Sequence, residues 1–185
     1  MRTRIIAHWM DGLLPFAALL LALTPLVAQD WPAWQVLLWL MIPGYMLHQI
    51  EEHDDDRFRR FLNDAMFGGR DGLSAEMSFF VNVIGVWGGL AAVLWLAVEL
   101  HPGLGMISVW LLIVNAAVHL GAALVLRAYN PGLVTALTLF PALAAYGFRV
   151  LPAQIGDHVL GLAVAIAGHL AIQLAVRRRL ARLNS

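Results

Sequence analysis

Residues 41–60 read MIPGYMLHQIEEHDDDRFRR, and the first ten of them close an apolar run that begins at Trp34. A run of that length can cross the hydrocarbon core of a bilayer as a helix. It passes without a break into His48-Gln49-Ile50-Glu51-Glu52-His53, two imidazoles and two carboxylates packed into six positions. On a helix His48, Glu51 and Glu52 stand at i, i+3 and i+4, so they project from one face. Ionisable groups are costly beside hydrocarbon, and where they occur they mark a site by default. One stretch thus raises both the question of fold and the question of function.

The rest of the chain answers the first. Of its 185 residues 61% are hydrophobic and only 13% charged, and the mean hydropathy is +0.74. Those values lie outside the profile of a soluble domain. Six apolar runs, near residues 12–28, 34–51, 78–100, 104–127, 133–150 and 158–176, each approach the length of a membrane span. The fold class expected is all-α: a polytopic integral membrane bundle of about six transmembrane helices, forming a single domain over residues 1–185. Arg2 and Arg4 precede the first run as they would in a signal peptide, but Leu26 stands where cleavage wants a small residue. The run reads as a retained first helix.

Arginine placement orients the bundle. With the N-terminus in the cytoplasm and six spans, Arg2, Arg4, Arg57, Arg59, Arg60, Arg70, Arg127, Arg177, Arg178, Arg179 and Arg182 fall inside, and Arg149 alone falls outside. Such asymmetry follows the positive-inside rule. Both termini are therefore expected on the cytoplasmic side of a bacterial inner membrane, with the site facing the cytoplasm. In the loop after His53, Phe58, Phe61, Leu62, Ala65 and Met66 recur at helical spacing between arginines, which predicts a short amphipathic helix at the membrane surface. Ser74 is placed to cap the next helix.

Composition also excludes chemistry. The chain has no cysteine and no lysine, which removes disulfides, thiolate ligands and Schiff bases. A net charge of zero gives no pull toward nucleic acid.

At about 1.5 Å per helical residue, the spans place His119 and His169 at similar depth in the cytoplasmic half, near the level of His48. Glu76 starts the third span on the same side. His48, Glu51, Glu52, Glu76, His119 and His169 are therefore the candidate metal ligands. Glu52 and Glu51 are the candidate catalytic groups. Asn115 lies one turn before His119, Tyr129 lies in the turn Tyr129-Asn130-Pro131-Gly132, and His53 lies off the His48 face; these three are expected to support the ligands from behind.

Three chemistries fit this set. Imidazole and carboxylate donors suit iron, manganese or zinc, and six of them are enough for a di-metal centre of the carboxylate-bundle kind, although here His precedes Glu. Three histidines could instead hold one zinc, with Glu52 as general base of a hydrolase. Without metal, buried His and Glu could move protons in an isomerase or transporter.

His48-x-x-Glu51-Glu52 resembles the signature of the HXXEE family, small multi-helix proteins mostly described as uncharacterised. Asn115-x-x-x-His119, the Tyr129–Gly132 turn and His169 are similar to the family's later blocks. The resemblance implies a shared polar site and supplies no reaction. The chain lacks the serine- and aspartate-bearing pattern of ceramidase-like membrane hydrolases, which weighs against the zinc hydrolase. The sequence thus favours a divalent or di-metal centre of iron or manganese, with zinc as the alternative. The function expected is an oxidising or hydroxylating membrane enzyme. Its expected partners are membrane lipids, a lipid-like or small hydrophobic substrate and a redox partner.

Overall fold

The structure, a computed structural model, describes residues 2–183. Among these residues there are helices and turns and no strand, as the run lengths predict. The helices are α1 (Arg2–Ala7), α2 (Leu13–Val27), α3 (Ala33–His53), α4 (Arg57–Phe67), α5 (Ala75–Glu99), α6 (Met106–Leu126), α7 (Leu133–Val150) and α8 (Ile155–Leu183).

The expectation of six spans is corrected to four. Helices α5, α7, α8 and the stretch Pro102–Leu126 containing α6 are long and apolar enough to cross a membrane. Helix α2 is wholly apolar but has only 15 residues, about 22 Å of helix against a hydrocarbon core of roughly 30 Å. Helix α3 has the length, at 21 residues, but Gln35, His48 and Gln49 dilute its hydropathy. Its polar residues are affordable because α3 is an interior element, packed against α2, α5 and α7. His48 and Gln49 are completely buried. Helix α6 sits between α7 and α8. The main core forms where α3, α5, α6 and α7 meet, around Leu37, Met41, Leu90, Val109, Leu112 and Phe140.

Two local features follow from residue chemistry. Ser74 caps α5 by accepting the Met77 N–H, as its position predicts. Further along, α5 is wound as a π-helix over Phe80–Trp87. The i→i+5 winding brings residues five apart onto neighbouring positions of one face. Asn82 and Trp87 are five apart, and both reach Gln49: Gln49 Nε2 donates to Asn82 Oδ1 at 2.9 Å, and Trp87 Nε1 donates to Gln49 Oε1 at 2.5 Å. The buried amide of α3 is thereby satisfied on both sides, and the residue between His48 and Ile50 is fixed in place.

The C-terminal end of α3, the N-terminal ends of α5 and α7, and the C-terminal end of α6 lie together at one end of the bundle. The amphipathic helix expected in the long loop is α4, which lies across this end.

Candidate metal centre

Three of the six candidate ligands converge. His48 and Glu52, one turn apart on α3, meet His119 from the last part of α6, and one ligand atom from each lies within 4.8 Å of the others. Glu52 Oε2 is 3.5 Å from His48 Nε2, and Glu52 Oε1 is 3.4 Å from His119 Nε2. All three residues are buried, with exposures of 0, 5 and 3%. The two imidazoles meet edge to face, their centroids 5.1 Å apart. Phe140 packs on His48 and Phe58 on His119, so the walls are aromatic.

The backs of both rings are anchored, and the anchors set the tautomers. Thr135 Oγ1 lies 2.8 Å from His48 Nδ1 and donates its proton to Glu51 Oε2 at 2.5 Å. A hydroxyl that spends its hydrogen on a carboxylate can only accept from the imidazole, so His48 carries its proton on Nδ1. Asn130 works the same way on His119. Its Nδ2 donates to the His119 carbonyl at 3.0 Å, which leaves Oδ1, at 2.6 Å, to accept from His119 Nδ1. With both Nδ1 protons committed outward, the Nε2 atoms face the carboxylate of Glu52 at 3.5 and 3.4 Å, either as lone pairs for a metal or as the second N–H of an imidazolium. His48 Nε2 is buried without a hydrogen-bond partner. A lone pair facing a carboxylate in a dry interior is unfavourable, so the contacts call for positive charge between the groups, a metal ion or a proton on each ring. The two contacts run to different oxygens of Glu52, and one ligand atom from each of the three residues lies within 4.8 Å of the others. The donor set fits a single divalent metal.

Gly132 closes this site from the loop side. Its φ is +91°, and a Cβ there would stand 2.8 Å from His119 Cε1 and 2.9 Å from His48 Cε1. Both the backbone conformation and the space thus require glycine.

The other expected ligands are elsewhere. Glu51 is turned toward α7, where it accepts from Val134 N at 3.0 Å, Thr135 N at 2.7 Å, Thr135 Oγ1, and the Tyr129 hydroxyl at 2.8 Å. The N-cap position of α7 is Gly132, which has no side chain to satisfy the free N–H groups. Glu51 reaches across from α3 to do so, and its charge complements the helix dipole. It is a cap rather than the bridging or catalytic carboxylate expected. Glu76 is exposed in the first turn of α5 and outside the cluster. His169 also stands apart, its Nδ1 bonded at 2.8 Å to the Ala165 carbonyl of its own helix. The depth argument that grouped it with His48 and His119 does not bring it into the cluster. The structure thus gathers three of the six expected ligands into one group that could hold a metal ion.

The supporting residues divide in the same way. His53 is buried against the far side of the carboxylate, its Nε2 3.1 Å from Glu52 Oε2, between the rings of Trp9 and Phe58. Tyr129 holds Glu51; partial burial and that carboxylate raise the phenol above its ordinary range, so it remains a donor. Asn115 is one step removed, donating to the Tyr45 hydroxyl at 2.9 Å, and Tyr45 sets its ring edge-to-face with His48. Thr135, Asn130, Gly132 and Phe58 were not foreseen as parts of the site. Asn130 and Gly132 carried a signal, but turn formation explained them fully in the sequence. Thr135 carried none.

A family model described as a protein of unknown function with HXXEE motif matches residues 39–146, more than half of the chain. No curated protein and no solved structure matches. The matched region contains all three converging ligands, together with Thr135 and Asn130.

Proposed function

The chain belongs to the HXXEE-motif family, and on that premise we propose that it is a metal-dependent membrane enzyme with a mononuclear centre held by His48, Glu52 and His119. The observation that carries this reading is the anchoring of both imidazoles from behind. Thr135 and Asn130 commit both Nδ1 protons outward, and both Nε2 atoms are turned onto one buried carboxylate. Orientation of ligating imidazoles by such partners is the usual construction behind a metal ligand.

Two histidines and one carboxylate, with coordination positions left over, suit iron(II), and manganese has similar preferences. A zinc hydrolase would use the same triad but needs a separate general base. Glu51, the nearest further carboxylate, is engaged by four donors at the start of α7, which favours the redox metal. Bound iron would supply oxidation or hydroxylation chemistry. The chain's own part is to orient the ligands, exclude bulk water and hold Glu52 through His53. In this reading the substrate is lipid-like or a small hydrophobic molecule, and a redox partner supplies electrons. The arginines at the site's end of the bundle support a cytoplasmic site in a bacterial inner membrane, with both termini on that side.

Elemental analysis of detergent-purified protein tests the proposal. About one iron or manganese per chain is expected, lost in His48→Ala, Glu52→Gln and His119→Ala. Protein free of metal, and unable to take up iron, manganese or zinc, would refute it. One zinc per chain would favour the hydrolase.

A second reading rests on one distance. Glu52 lies closer to His53, at 3.1 Å, than to either ligand histidine. A metal-free acid–base pair of Glu52 and His53, acting in isomerisation, is the alternative that a metal-free but active protein would establish.

A further inference from the structure

Helix α4 has backbone hinges at both ends. Before it, Asp55 and Asp56 are both in the left-handed region, at φ 53° and 56°; after it, Gly68 and Gly69 are at φ 62° and 80°. Consecutive left-handed residues are rare outside glycine, and aspartate is one of the few residues that tolerates the conformation. The leading hinge begins two residues after His53 and ends immediately before Arg57, the first residue of α4. The next residue, Phe58, lies with its ring centroid 5.8 Å from that of His119 and 5.5 Å from that of His53. The side chain covering the site is therefore carried on the first turn of a helix bounded at both ends by left-handed residues.

The same helix is held down at a distance from the site. Arg59 pairs with Asp56 and, at 3.4 Å, with Asp71. Asp71 in turn binds Arg179 of α8 through its carboxylate at 2.6 Å and its carbonyl at 2.7 Å. Arg57 and Arg60 pair with Asp54 and Asp55 across the leading hinge. All of these ion pairs are at least partly exposed, and pairs of that kind contribute little stability individually. They suit a latch better than a permanent fastening.

We propose that α4 is the gate of the centre: it swings on Asp55-Asp56 and Gly68-Gly69, lifts Phe58 from His119, and admits water-borne ligands, including the metal ion, from the aqueous face. The Arg59–Asp71–Arg179 chain latches it shut. The proposal takes its purpose from the metal reading, but its geometry and its test are independent of metal.

The test is carbethoxylation of histidines in chelator-treated, full-length protein, followed peptide by peptide by mass spectrometry. Diethyl pyrocarbonate attacks an unprotonated ring nitrogen, and Nε2 is the His119 nitrogen turned into the site. The half-exposed His101, paired with Asp157 at the other end of the bundle, reports general loosening. In the parent protein His119 should react far more slowly than His101. Asp71→Asn and Arg179→Gln, both remote from the triad, should speed His119 about two- to fivefold and leave His101 unchanged. Phe58→Ala should speed it on the order of tenfold, while Arg179→Lys should stay slow. The gate is refuted if His119 keeps its parental rate in both latch variants, or if its rate rises only in step with that of His101. A metal-free protein would overturn the metal centre and leave this measurement intact. Unchanged rates in a metal-loaded protein would overturn only the gate.

Discussion

Thr135→Val is the sharpest single test of how the centre is built. Valine has nearly the shape of threonine, so the change removes one hydroxyl and little volume. That hydroxyl accepts from His48 Nδ1 at 2.8 Å and donates to Glu51 at 2.5 Å. Glu51 keeps three other donors and is only half-buried, so its loss is small. His48 has 0% exposure and no other acceptor for Nδ1 among the described residues, so it bears the main penalty. Leaving a buried donor unsatisfied costs about 1–3 kcal/mol. The ring is then free to rotate or change tautomer, and loss of such an orienting partner typically weakens metal binding 10- to 100-fold. That factor corresponds to about 1.4–2.7 kcal/mol, in the same range. Chelator competition against purified Thr135→Val, with thermal unfolding of the metal-free form alongside, measures both terms. Thr135→Ser keeps the hydroxyl and should stay near the parent protein. If Thr135→Val binds metal within twofold of Thr135→Ser and melts with it, the tautomer argument for His48 fails.

Other substitutions separate the residues that the sequence grouped together. Glu51→Gln should destabilise the fold by about 1–2 kcal/mol, because charged acceptors at a helix N-terminus are worth that much. It should still leave about one metal per chain, as seen by calorimetry and elemental analysis; metal loss would restore Glu51 as a ligand. Gly132→Ala forces a methyl between the two imidazoles at a positive φ, so it should cost more than about 1 kcal/mol and depress metal content as well. Normal metal content would refute the close approach. His169→Ala should change stability by no more than about 0.5 kcal/mol and leave metal content untouched; loss of metal would show that α8 reaches the site.

The legibility of the site divided along physical lines. His48 and Glu52 could be paired in the sequence because helical periodicity puts i and i+4 on one face whatever surrounds them. His119 could be brought to the same level because rise per residue is nearly constant in a helix. His169 satisfied the same depth argument and failed, since depth says nothing about rotation about the helix axis. Glu51 shared the motif and the approximate face with Glu52, yet a single residue step of about 100° sent it to the start of α7. What it found there, a glycine N-cap with free N–H groups, is a property of another helix. Thr135 and Asn130 act only because α7 and the turn before it fold back onto α3 and α6.

The apolar runs, the arginine bias and the polar hexapeptide are local properties, so the amino-acid sequence by itself determined an all-helical membrane protein with a His/Glu site at one end of its bundle. It also determined the amphipathic α4 and the Ser74 cap, which depend on neighbours within a few residues. It overcounted the spans, because the apolar run at α2 folds into only 15 helical residues and polar residues dilute the run at α3. Only the tertiary structure decided which carboxylate faces the histidines, which partner holds Nδ1 of each ring, and that three of the expected ligands meet rather than six. Those outcomes depend on the rotation and docking of helices distant in sequence, set by side-chain packing and by the pairing of buried polar groups across the bundle.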